Sequence, residues 1–98
     1  MKQTPVPVLP FTHFLTFAEV SAYASRLVAS RPGLATLTSI GTSREGRPLL
    51  MLTLTDPSTG AAHDKPAYLI HGNIHATELA GTHAALFTAR QLLLDHPR

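Results

Sequence analysis

The chain has 98 residues, room for one small domain and too few for two. With 14% charged and 44% hydrophobic residues it is not intrinsically disordered, and a net charge of +2 carried by scattered Lys and Arg argues against a nucleic-acid-binding surface. Cysteine is absent, which excludes disulfides and thiolate metal sites, so any metal would be held by His and carboxylate groups.

Residues 1–14 are proline-rich and are expected to run extended ahead of the folded part, 15–98. Pro5, Pro7 and Pro10 interrupt the apolar run that a secretory signal needs. No apolar stretch approaches the roughly 18 residues of a membrane span. The expectation is therefore a cytoplasmic chain that meets neither membrane nor nucleic acid.

A helix follows. Thr16 with Glu19 three residues on fits a capping box, which satisfies free backbone N–H groups at a helix start. Phe17, Val20, Ala24, Leu27 and Val28 share one face at helical spacing, with Glu19, Arg26 and Ser30 opposite, and Arg31-Pro32-Gly33 ends the run. Residues 34–40 and 49–55 then read as strands joined through "GTSREGRP" as a hairpin, and 56–65 is a polar loop.

The continuous apolar run at 66–70 suits a strand covered on both faces, as in a mixed or parallel sheet. Gly72 ends it, and 77–94 forms a second helix. Its Leu79, Ala80, Ala84, Leu86, Phe87, Leu93 and Leu94 go nearly all the way round the helical wheel, the pattern of a helix buried on several sides. Burying such a helix together with both faces of a sheet takes more chain than this, so the sequence reads as the N-terminal part of a larger domain.

The stretch "HGNIHATELAG", residues 71–81, lies where the expected strand hands over to the helix. Ligand sites in α/β sheets collect at such strand ends. His75 and Glu78 are three residues apart, so one helical turn can aim both at a common atom, and zinc accepts an imidazole nitrogen and a carboxylate oxygen. Glu78 also has a structural explanation, since a carboxylate complements the positive end of a helix. The two accounts are compatible. His71 is read as a strand-end residue bonded to backbone or oriented beside the site, and His83, in a stripe with Arg90, as packed or hydrogen-bonded. His13, His63 and His96 are read as solvated.

At this point "SIGTSREGRPLLMLTLTD" followed by "KPAYLIHGNIHATEL" resembles the start of the zinc carboxypeptidases of the carboxypeptidase A type. The matching positions are Ile40-Gly41, Ser43, Glu45-Gly46-Arg47, Leu49, Lys65-Pro66, Gly72, His75 and Glu78, in a resemblance spanning residues 15–94. It implies an α/β fold, with helices on both faces of a mixed sheet to which this segment contributes about three strands and two helices. It further implies Zn2+ as cofactor, with His75 and Glu78 as two of three protein ligands, and a peptide as substrate, cleaved at its C-terminal residue.

The third ligand, the general base and the substrate-holding arginines would come from the remainder of the catalytic domain, so no catalytic residue is assigned within the chain. The Ser43–Arg47 block is expected to be architectural. Thr77 and Leu79 stand where digestive members often have Arg and Trp, which leaves substrate preference open. A deacylase or other amidohydrolase on the same scaffold, and a non-catalytic binding domain, are the alternatives the resemblance admits.

Overall fold

A computed structural model describes residues 4–96. The first three residues of the expected N-terminal segment, and Pro97 and Arg98 at the other end, lie outside the described residues. Helix α1 spans Phe17–Ser30, strand β1 Ala35–Thr42, strand β2 Pro48–Leu54 and helix α2 Leu79–Asp95. Short 3-10 turns at Pro57–Thr59 and Ala62–Asp64 shape the loop between β2 and α2.

The expected capping box forms at the start of α1. The Glu19 N–H donates to Thr16 Oγ1 at 3.2 Å, and the Thr16 N–H donates to Glu19 Oε1 at 2.8 Å. The buried face differs from the expected stripe: Tyr23, Ala24, Leu27 and Ser30 are buried, while Phe17 is exposed. The cause is the N-terminal segment, which lies against this helix and draws Tyr23 inward; the Tyr23 hydroxyl donates to the Pro7 carbonyl at 2.8 Å. Ser30, expected on the polar face, is tolerated inside because its hydroxyl donates to the Leu27 carbonyl at 2.7 Å. Buried Arg31 closes the helix and donates from its guanidinium to the carbonyls of Thr4 and Ser30.

The hairpin forms as expected. β1 and β2 pair antiparallel from Ala35↔Leu54 to Ser39↔Leu50, with an irregularity before Thr42↔Pro48. Its tip is made by the Ser43–Arg47 block. The Ser43 N–H donates to the Arg47 carbonyl at 2.7 Å, the Arg47 N–H donates to Ser43 Oγ at 3.1 Å, and Gly46 takes a φ of 86°. A side chain at that φ would be strained, which explains the glycine and supports an architectural role for the block.

The expected third strand does not form. Residues 66–70 belong to no ladder, and the sheet is a two-stranded antiparallel one rather than a mixed sheet of about three strands. A strand of this kind needs hydrogen-bonding neighbours and covered faces, and here Tyr68 is 91% and Leu69 77% exposed. The chain remains an α/β arrangement of two helices and one sheet.

The core joins Tyr23 and Leu27 of α1, Ala35 of β1 and Leu86, Ala89 and Leu93 of α2 around Val6 and Leu9 of the N-terminal segment. Contrary to the wheel, α2 buries one face, His83, Leu86, Ala89 and Leu93, and leaves Leu79, Phe87, Leu92 and Leu94 exposed. Of these, Phe87 meets the Phe11 ring edge-on, with centroids 5.8 Å apart, and still stays exposed.

Candidate metal centre

The loop that carries His75 and Glu78 is fixed to α2 by an unusually close backbone approach. A Cβ on Gly72 would stand 2.5 Å from the Gly81 carbonyl oxygen, and one on Gly81 would stand 2.7 Å from the Asn73 nitrogen. Only glycine at both positions permits this contact. Asn73 follows with a φ of 62°, the left-handed region that asparagine tolerates better than most residues.

The chain then makes a tight turn rather than a helical one. The Glu78 N–H donates to the His75 carbonyl at 2.9 Å, and α2 begins only at Leu79. The expected helical turn is thus replaced by a hydrogen-bonded turn of the same residue spacing. It brings the two side chains together equally well: His75 Nδ1 and Glu78 Oε1 are 3.2 Å apart. The same carboxylate oxygen accepts from the His75 N–H at 3.2 Å, so the Glu78 side chain folds back over the turn.

Two donors on one tetrahedral zinc, each about 2.1 Å from the ion, stand roughly 3.4 Å apart. The 3.2 Å between His75 Nδ1 and Glu78 Oε1, which is also a direct pairing distance, is close to that spacing. Both side chains are open to solvent, 76% exposed for His75 and 51% for Glu78. Among the described residues, no group of three His, Asp or Glu side chains gathers around a common point. At this point the described residues bring together two side chains, His75 and Glu78.

Glu78 occupies the N-cap position of α2 yet makes no side-chain bond to that helix. Ser, Thr, Asp and Asn cap helices well, and glutamate is not among the preferred residues. Its carboxylate instead faces His75.

The other histidines separate clearly. His71 is exposed. His83 is buried, with Nε2 2.6 Å from the Pro10 carbonyl oxygen; that oxygen can only accept, so Nε2 carries the proton. Phe11 packs on the His83 ring with centroids 5.1 Å apart. His63 is exposed beside Asp64. His13 is exposed as expected, with Nε2 3.0 Å from Glu19 Oε2, whereas His96 departs from the expected solvated state and is half-buried, with Nε2 3.0 Å from Asp56 Oδ2. The His13 pair is local, whereas the fold brings His96, at the end of α2, to a carboxylate distant in sequence.

Sequence reasoning missed the residues supporting the turn. The Asn73 Nδ2 donates to the His75 carbonyl at 2.8 Å, and the Thr82 hydroxyl donates to Asn73 Oδ1 at 2.9 Å. The available signal was the glycine pair flanking the motif, with an asparagine directly after the first.

The sequence profile of the zinc carboxypeptidase (peptidase M14) family matches residues 20–98. The chain is 37% identical to carboxypeptidase A2 of Mus musculus over 88% of its own length and 19% of that protein. It is 34% identical to carboxypeptidase D of Mus musculus, covering 90% of this chain and 7% of that protein. With carboxypeptidase B of Astacus astacus the identity is 36%, over 71% of this chain and 22% of that protein. The chain therefore spans about a fifth or less of the length of these relatives.

The profile match over most of the chain and these identities place it among the peptidases of one family. The chain belongs to the zinc carboxypeptidase family.

Proposed function

We propose that the chain is the N-terminal part of a zinc-dependent carboxypeptidase catalytic domain, in which His75 and Glu78 hold the metal. The substrate class is a peptide, hydrolysed at its C-terminal residue. The observation that carries this reading is the 3.2 Å approach of His75 Nδ1 to Glu78 Oε1 on a solvent-accessible turn inside the family-matched segment.

Zinc in such a site polarises the scissile carbonyl and lowers the pKa of a coordinated water. The chain's own contribution is narrower. His75 supplies a neutral nitrogen donor and Glu78 an anionic oxygen donor, held by a turn whose two ends bond to each other. Glu78 stands at the start of α2, and its side chain turns back to the His75 N–H rather than capping that helix. Residues outside the chain supply the third ligand and the base that takes the water's proton.

The unpaired 66–70 segment and the exposed apolar positions of α2 agree with this reading. Tyr68, Leu69, Phe87 and Leu92 would be covered by the remainder of the domain.

The test is metal content. In the full-length polypeptide carrying this segment, zinc should be retained through gel filtration at about one equivalent, given a three-ligand site. His75→Ala and Glu78→Gln should each lose most of it. Wild-type zinc loads in both variants would end the assignment.

A further inference from the structure

We propose that Asn73 is a positioning residue for the metal pair, anchored to α2 by Thr82; this inference rests on the zinc reading given above. The Asn73 amide spans the space between the helix and the ligand turn. The His75 carbonyl can only accept, so the amide nitrogen must face it, and the amide oxygen then faces the Thr82 hydroxyl. The His75 carbonyl thus receives two donors, the Asn73 Nδ2 at 2.8 Å and the Glu78 N–H at 2.9 Å. Both of its lone pairs are used, which fixes the peptide plane between the two ligand residues.

Geometry on the other side reinforces the restraint. Gly72 and Gly81 bring the loop backbone against the first turn of α2, and the Asn73 φ of 62° turns the chain toward His75. His75 and Glu78 are exposed and touch little else that would hold them. The spacing of Nδ1 and Oε1 is therefore set by the turn, and the turn is tied to the rigid helix through Asn73 and Thr82. Partners bonded directly to a ligating group commonly affect metal affinity by about 10–100-fold; Asn73 acts through the His75 backbone, so an effect at the lower end of that range is expected.

A purely conformational role for Asn73 makes a different prediction. If only the left-handed backbone mattered, glycine would serve as well or better. Asn73→Gly keeps that backbone and removes both side-chain bonds, so it separates the two roles.

The experiment is a titration of the 98-residue chain with zinc chloride alone, followed by the NMR signals of His75 and Glu78, with amide hydrogen exchange of the metal-free chain as a second readout. Asn73→Gly should weaken the zinc response at His75 and Glu78 by about tenfold. It should also speed exchange of the Glu78 N–H, while the amides of Leu86 and Leu93 in α2 keep their protection. Thr82→Val should reproduce this behaviour, and Thr82→Ser, which keeps the hydroxyl, should restore wild-type values.

An Asn73→Gly chain that binds zinc and protects Glu78 like wild type, while His75→Ala abolishes the response, would overturn the role of Asn73 and leave the metal pair standing. If His75→Ala and Glu78→Gln themselves leave the zinc response unchanged, the metal reading fails and this inference falls with it.

Discussion

At Gly81 two familiar effects oppose each other. Replacing a helical glycine by alanine ordinarily stabilises by about 1 kcal/mol. Here the new methyl would stand 2.7 Å from the Asn73 nitrogen and 3.2 Å from the Gly72 Cα, both backbone atoms that cannot swing aside. Overpacking of this kind destabilises by about 1–3 kcal/mol. Gly81→Ala should therefore lower the urea midpoint despite its better helix propensity, and should shift the NMR signals of the 72–78 loop. Glu19 offers a pH test. Its carboxyl is held below the usual 4.5, first by the Thr16 N–H and then by His13. A lowered carboxylate adds stability above its unfolded pKa and loses it as pH falls through the folded value. Acidification below about pH 4.5 should thus fray the start of α1, seen as loss of far-UV circular dichroism, and Glu19→Gln should flatten that part of the curve. His75 and Glu78 were singled out by their spacing, their place ahead of a helix and the family resemblance, but Asn73 and Thr82 were not. Their roles depend on a loop crossing a helix nine residues later, which no local pattern records.

The elements with local causes were the most readable ones. The capping box of α1, the hairpin with Gly46 at its tip and the stop at Arg31-Pro32-Gly33 each arise within a few residues, and each forms close to its expected place. Thr16→Ala should accordingly destabilise the chain by about 1 kcal/mol, the usual effect of removing a good N-cap, measured by chemical denaturation. The run at 66–70 was misread because a strand is completed by its neighbours. Its apolar composition states what the segment would tolerate, and pairing depends on an available edge. α2 shows the same lesson by its exposed side: the wheel recorded a demand for burial that the described residues meet on one face only. The helical turn expected between His75 and Glu78 failed for another reason. Asn73 takes a left-handed φ of 62° and a turn occupies Ala76 and Thr77, with α2 starting only at Leu79.

At the scale of the molecule, stability rests on a small core centred on Leu27, the one large side chain among the described residues that is completely buried. Leu27→Ala should cost about 2–5 kcal/mol, against a total of about 5–15 kcal/mol for a natural domain of ordinary size. For a chain with so few buried residues, that change should abolish the cooperative thermal transition. The same scale governs activity: with a partial donor set among the described residues, the 98-residue chain alone should not hydrolyse blocked dipeptides, with or without added zinc. Chelator-sensitive turnover by the purified chain would contradict that expectation.

The proline-rich start is the feature with the widest reach. Its carbonyls at Thr4, Pro7 and Pro10 are gripped by Arg31, Tyr23, Arg90 and His83, and Val6 and Leu9 fill space that α1 and α2 leave between them. Trimming the polypeptide to begin at Phe11 would strand those donors in an emptied seam. Such a shortened product should be insoluble or readily digested by trypsin, and an affinity handle is better attached at the opposite terminus.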